Sequence, residues 1–575
     1  MWPRPPAFAA FTWTRCESGI IARWREHFLG LDYSIAHETP EFLLLAREKQ
    51  RGAFALHTLT PGRLYLFGTV FGASRVLPDI SSPADMARAL TKSVWGRYVA
   101  FLRGEEGWRV FRDPSGALEC WRAEARGFDV VFSSLEDAKS CLVESGLNQP
   151  DWQAIGACVK RGRIGPGRCG LAGVAAVEPG HLQKLGRDDA PEAIWRAEDF
   201  ASPATRTPDH AIADALRSSV RAWASLHEKI AHQLSGGLDS ACVLACLCEG
   251  IDPERLEAWS FFPSDVADED ERIYARATAE RLGVKLHECE MRAGGVDYES
   301  LAGAPLPPRP SLSWLSFADR RLVDWQGARS ASALMSGEGG DHLLLRSHGA
   351  VFAVDYARRF GLRLGLLACA RDGAAIAGLS IWEVLARAID EGLLRRPVSS
   401  TAPMEADAFG LGPAFDVHGP APSKCKFPGK ARQVRALTEA RDYLDLSVLN
   451  ARLDGFPAML SQPFIEACLT SPTYAFGEGG VDRAPLRAGF ASALPEIVVR
   501  RRSKAGMTRY TIDALTNNLP WLRARLLDGD VAKTLELDRA RLERTLRRET
   551  LIGDPPLDQI LGLLSAECWL ARWRA

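Results

Sequence analysis

The sequence predicts a two-part chain: a β-rich first part of about 200 residues, then a helix-covered parallel sheet that runs into a mostly helical remainder. Three observations carry this. Short runs of β-branched and aromatic residues, "RLYLFGTVFG" (63–72), "GRYVAFLRG" (96–104), "GWRVFRDP" (107–114) and "FDVVFSS" (128–134), are separated by turn signals. After about residue 200 strand-like runs alternate with helical patterns of 10 to 15 residues. Two glycine turns, each with a carboxylate, close two of those strands.

The chain has 575 residues, too many for one core. With 46% apolar and 25% charged residues it has the composition of a globular protein. The 71 basic and 72 acidic residues give a net charge of -1, which argues against a broad nucleic-acid surface. No apolar run reaches the roughly 18 residues of a membrane helix, and MWPRPPAFAAFTW lacks the form of a secretory signal. The 13 cysteines show no paired framework, so a reduced cytoplasmic protein is expected. Cys242, Cys246 and Cys248 have helical spacing and are expected to pack in a core rather than hold a metal.

In chain order, "RCGLAGVAAVEPGHLQKL" (168–185) turns at Pro179-Gly180, and "SPATRTPDHAIADAL" has the Ser/Thr/Pro content of a linker leading into a helix. The domain boundary is placed there, giving domains 1–200 and 201–575. Strands are expected at 230–234, 256–262, 285–290 and 332–336. The Pro/Gly/Ala-rich stretch 398–430 reads as a long, mobile loop.

The first turn is "LSGGLDS" (234–240). Gly236 and Gly237 allow a tight turn and close approach to a ligand, and a helix start supplies amides to an anion. Ser235 and Ser240 add hydroxyls. Asp239 would repel a phosphate alone, but suits a Mg2+ that also takes phosphate oxygens. The string is not a Walker A loop, and a strand–helix turn with a capping serine is its plain alternative. The second turn, in "ALMSGEGGDHLLL" (333–345), repeats the pattern with Glu338 and Asp341. Asp341 is placed to share Mg2+ with Asp239, and Glu338 to orient or deprotonate an amine.

SGGxDS followed by SGEGGD resembles the ATP-pyrophosphatase domain of the asparagine synthetase family. The segments 260–290 and 483–507 resemble that family's second strand–helix–strand unit and its late Lys-x-Gly segment. The resemblance covers most of 205–575. It implies an adenine nucleotide α-hydrolase-like (PP-loop) domain that adenylates a carboxylate with ATP and Mg2+, then forms an amide. It implies that Ser235, Gly236, Gly237, Asp239 and Ser240 hold pyrophosphate, and that Asp239 and Asp341 bind Mg2+. Leu234, Phe261, Ser336 and Gly337 would lie near the nucleoside, and Lys504 at the α-phosphate or tetrahedral intermediate. The plain alternative for Lys504 is a solvated basic run with Arg500, Arg501 and Arg502.

The first 200 residues resemble that family's glutamine-hydrolysing domain, an Ntn-type αββα sandwich, through residues 95–138 and "VEPGH" (177–181). The glutaminase needs a cysteine at position 2, where this chain has Trp2; the nearest cysteine is Cys16. The domain is therefore expected to be a degenerate scaffold, with the amine coming from elsewhere. Glu338 stands where β-lactam-forming relatives carry tyrosine. Ser461-Gln462-Pro463-Phe464-Ile465-Glu466 lacks the arginine of asparagine synthetases. These departures, with "PGKARQVRAL" (428–437), resemble the lasso peptide cyclases. That likeness implies a precursor peptide substrate, an isopeptide macrolactam product, and a leader-binding protein and leader peptidase as partners, with neither nucleic acid nor membrane. The rivals are an ammonia-dependent amidotransferase on a small carboxylate, a non-catalytic binding module, and a tRNA-modifying pyrophosphatase.

Overall fold

The computed structural model describes residues 4–13, 18–48, 54–72, 82–125, 127–165, 167–186, 189–202, 210–327, 331–396, 407–412, 415, 424–441, 444 and 452–575. The first part contains strands β1 (Ala7–Trp13), β2 (Ser34–Thr39), β3 (Phe42–Arg47), β4 (Ala55–Thr60), β5 (Leu64–Phe71), β6 (Trp95–Gly104), β7 (Gly107–Arg112), β8 (Trp121–Ala125), β9 (Phe128–Phe132), β10 (Val174–Ala176), β11 (His181–Lys184) and β12 (Glu192–Ala193). They form two antiparallel sheets, ordered β10-β8-β9-β1-β3-β2 and β12-β11-β7-β6-β5-β4.

The period-2 alternation of strand side chains explains the layering. On β1, Phe8 and Ala10 point into the space between the sheets, where Phe8 meets Phe67 and Phe101 edge-on at 5.5 and 5.4 Å. Ala7, Ala9 and Phe11 point the other way, onto Trp24 and Phe28 of helix Ser18–Leu29. The outer face of the second sheet is covered by Met86, Ala87 and Leu90 of helix Pro83–Ser93. The layers run helix, sheet, sheet, helix.

The second part holds β13 (Ile230–Gln233), β14 (Leu256–Pro263), β15 (Leu286–Met291), β16 (Ala333–Ser336) and β17 (Asp454–Pro457). They form one parallel sheet ordered β15-β14-β13-β16-β17. Four of these lie where the sequence predicts strands. The fifth, β17, comes from "DGFP", whose glycine and proline give no strand signal; it exists because β16 offers it an edge. Among the described residues no helix is long and apolar enough to cross a membrane. Cys242 and Cys246 are buried within helix Leu238–Gly250, and no group of three or more metal-ligating side chains occurs among the described residues.

The two parts are tightly joined. Arg97 of β6 pairs with Asp454 and donates to Gly455 O at 3.1 Å. Arg441 donates to Pro114 O at 2.6 Å, and Trp573 to Asn148 O at 3.1 Å. Most of the 398–430 stretch lies outside the described residues, but its described pieces depart from a mobile loop. Phe409 is fully buried, its carbonyl accepts from Asp538 N at 2.9 Å, and residues from Pro428 on form helix Pro428–Arg441.

Candidate active site

β13 and β16 are neighbours, with His232 opposite Met335, and the sheet order reverses between them. This is the crevice where open parallel sheets bind ligands. Both glycine turns emerge here, so tertiary structure joins segments separated by about a hundred residues.

The first turn leaves β13 through Leu234, which is fully buried and donates to Trp259 O at 2.8 Å. Helix Leu238–Gly250 then starts with Gly237 as its N-cap. Ser235 and Ser240 bring their hydroxyls to 3.0 Å of each other. The glycine amides are engaged internally. Gly236 N–H donates to the Glu271 carboxylate at 3.1 Å and Gly237 N–H to Ser235 Oγ at 3.1 Å. The amides of Leu238, Asp239 and Ser240 open the helix and have no carbonyl four residues back within it.

The second turn fits against the first. A Cβ on Gly337 would lie 2.2 Å from Ser240 N, and one on Gly340 would lie 2.5 Å from Asp239 Cγ. Both contacts are too close for any side chain, and the first meets rigid backbone. Gly337→Ala is expected to destabilise the fold by about 1–3 kcal/mol or to lift the second turn off the first. Urea unfolding together with ATP binding will check this; wild-type values for both would contradict the packing described.

Between the turns stand Asp239 and Asp341. Both accept from one atom, Arg483 Nη1, at 2.8 and 2.6 Å. Lys504 pairs with the other oxygen of Asp341, and Arg346 lies 3.7 Å away from that carboxylate. Burial pushes the Asp239 carboxyl up to about 6, with Arg483 opposing the rise and Asp341 adding to it. Burial also raises Asp341, but the charges of Arg483 and Lys504 outweigh it and hold the carboxyl below its usual range.

Lys504 lies in an irregular segment fastened to the first turn. Arg501 donates to Gly236 O at 2.7 Å and to Glu271 at 2.7 Å, and its guanidinium lies 3.8 Å over the Tyr274 ring. Ala505 N–H donates to the same Glu271 carboxylate at 2.9 Å. Glu271 thus clamps the Lys504 segment to the Ser235–Gly237 turn.

Glu338 sits at the head of the second turn, where desolvation pushes its carboxyl up to about 7, partly opposed by Lys504. In the unfolded chain it ionises near its ordinary value. Wild-type stability should therefore fall, relative to Glu338→Gln, as pH rises from about 4.5 to about 7, and stay lower above that. Melting curves should show the variant more stable at pH 8 and level with wild type near pH 4. Equal melting at both pH values would contradict a desolvated carboxyl.

Ser336 and Gly337 lead from β16 into the second turn. Phe261 lies beyond β13, on β14, where its ring meets Trp325 edge-on at 5.3 Å. Sequence reading passed over Arg483, Asp482 and Glu271 and took Arg501 only as part of a solvated basic run, whereas its side chain is 8% exposed; three of the four fall inside the segments 260–290 and 483–507 that carried the resemblance. Met459 gave no signal at all; its sulfur would lie 2.7 Å from a Cβ on Gly340, on the floor of the site. Trp2 and Cys16 lie outside the described residues.

A carboxylate pair, a lysine and a helix start thus come together at the sheet's switch point. The asparagine synthase family model matches residues 211–571, more than half of the chain, and the protein belongs to that family. It is an ATP-dependent carbon–nitrogen ligase. A comparison with curated proteins finds no match. Among solved structures, one titled as the allosteric regulatory enzyme of purine biosynthesis is 12% identical with a TM-score of 0.19, covering 50% of this chain and 80% of that one. Glutamine phosphoribosylpyrophosphate amidotransferase from B. subtilis, complexed with ADP and GMP, is 10% identical with a TM-score of 0.19, covering 61% and 77%. At such TM-scores these likenesses add nothing to the family assignment.

Proposed function

We propose that the protein is a macrolactam synthetase of the lasso peptide cyclase type. On this reading it adenylates an Asp or Glu side chain of a precursor peptide and joins it to the peptide's own N-terminal amine. The observation that carries the ligase chemistry is the convergence of Asp239, Asp341, Lys504 and Glu338 at the sheet's switch point. Two features favour a peptide substrate over ammonia and a small acid. Ser461 is fully buried and bonded to Trp223 Nε1 at 3.0 Å, and offers no cation to a small carboxylate. A cavity of about 1290 Å³ is lined by Tyr356, Tyr474, Val499, Arg500 and Arg502. It exceeds the roughly 300–1,000 Å³ of small-ligand pockets and shares a wall with the segment leading to Lys504.

The residues present suit a PP-loop use of ATP with Mg2+. Asp239 Oδ1 is buried and accepts no hydrogen bond from the described residues, and two protein carboxylates match an ion that takes its other ligands from phosphate and water. Asp239 and Asp341 would hold Mg2+, which when bound neutralises charge on the polyphosphate. Ser235, Ser240 and the amides of Leu238 to Ser240 would hold the leaving pyrophosphate. The peptide carboxylate attacks the α-phosphate, the bond to pyrophosphate breaks, and an acyl-adenylate forms. Lys504 stabilises charge developing on the α-phosphate and then on the tetrahedral intermediate. The N-terminal amine attacks the acyl carbon, Glu338 takes its proton, and AMP departs. Leu234, Phe261, Ser336 and Gly337 would border the nucleoside. The first part acts as a scaffold, its opening strand tied down where the buried Arg47 donates to Pro5 O at 3.0 Å and pairs with Asp137 at 2.7 Å. A leader-binding protein and a leader peptidase are the expected partners.

Mass spectrometry of a reaction with ATP, Mg2+, the leader-free precursor peptide and those partner proteins tests the reading. A peptide lighter by one water, with AMP released in equal amount, is expected. Unchanged peptide alongside asparagine and AMP made from aspartate and ammonia would overturn it in favour of a small-molecule amidotransferase.

A further inference from the structure

Arg483 holds an unusual position. It is a non-glycine residue in left-handed conformation, φ +54 and ψ 36, at the start of helix Ala484–Phe490, and its side chain is 6% exposed. Asp482 binds its guanidinium at Nε and Nη2, both at 2.8 Å, and Arg487 in turn holds Asp482. The remaining nitrogen, Nη1, reaches both Asp239 Oδ2 and Asp341 Oδ1. Any divalent ion shared by Asp239 and Asp341 must contact the same pair of carboxylates. Two cations in that gap would repel strongly in a poorly solvated site. Meanwhile Asp239 Oδ1, on a residue only 7% exposed, has no donor among the described residues.

We infer that Arg483 is a resident counter-cation that keeps divalent ions out of the site until a polyphosphate brings one in. This rests on the reading of Asp239 and Asp341 as metal ligands. Without nucleotide, Arg483, with Lys504 on the outer oxygen of Asp341, offsets the charge of the pair and holds it in place, so a free divalent ion gains little by binding. The polyphosphate brings negative charge enough for both cations: its oxygens coordinate the metal and offer Arg483 a new partner. The protein would thus take its metal only as a nucleotide complex and would not be loaded by divalent ions alone. Arg483 is a positioning residue in this account.

The test measures Mn2+ binding by electron paramagnetic resonance and by melting-temperature shift, on the full chain, with and without a non-hydrolysable ATP analogue. Wild type should bind Mn2+ only with the analogue. Arg483→Met should bind Mn2+ alone at least tenfold more tightly than wild type, and its melting temperature should rise with Mn2+. Arg483→Lys keeps a charge but cannot reach both carboxylates while bonding Asp482. It should fall between the two, and it serves as the test if the methionine variant does not fold. Adding Asp341→Asn to Arg483→Met should abolish the gain. Equal Mn2+ affinity of wild type and both Arg483 variants without nucleotide would overturn the inference while leaving the carboxylates as metal ligands. Absence of Mn2+ binding in every protein, even with the analogue, would overturn both.

Discussion

Lys504→Ala is expected to slow AMP and product release by about 10²–10³-fold while ATP binding changes little, the loss typical for one preorganised group that meets transition-state charge. The reason lies in how the lysine is held. Its side chain is 43% exposed, so its ion pair with Asp341 adds little to stability, and the variant should melt close to wild type. Its backbone is nevertheless fixed, because Arg501 and Ala505 fasten the segment to Glu271 and to the first turn. The charge therefore waits at the mouth of the site without a reorganisation cost. Lys504→Arg should not rescue, since a planar fork replaces a compact ammonium. Rapid-quench measurement of AMP with calorimetry of ATP binding will separate the two effects. Full activity in the alanine variant would return Lys504 to a solvated basic run.

Asp341→Asn should abolish AMP formation, a loss of about 10³-fold or more, because a carboxylate expected to carry Mg2+ is replaced by a weak neutral ligand. Asp239→Asn should lose activity equally and also fold poorly. Asp239 is the more deeply buried partner of Arg483, and breaking a buried pair costs about 3–5 kcal/mol. The two variants therefore share one kinetic phenotype but differ in melting temperature, with Asp341→Asn the milder. AMP release by either at the wild-type rate would exclude both carboxylates from the chemistry.

Much of this site could be read in the linear chain because local rules write it there. One glycine turn after an apolar run is common, but two of them ending strands of one sheet, each followed by a carboxylate, point to a ligand at the strand ends. The strands β13 to β16 were legible for a related reason: buried parallel strands are short apolar runs between turns. In the first part β5, β6, β7 and β9 carry aromatic and β-branched residues and were equally plain. β3, "FLLLAR", was not, since a run of leucines suits a helix as well as a strand, and only burial on both faces between a second sheet and a helix layer decides it.

What the sequence alone determined is which groups are on offer: two glycine turns, the carboxylates Asp239, Glu338 and Asp341, and the lysine Lys504. The tertiary structure decided which groups meet. Arg483 lies 142 residues from Asp341 and 244 from Asp239, and nothing in spacing or composition marks it as their shared partner. The same is true of Glu271, which takes up the Gly236 amide that the motif assigns to phosphate. Motifs record what a short segment can do with a ligand. Charge neutralisation inside a poorly solvated crevice depends on every segment that folding brings there, and those are chosen by the order of strands in the sheet.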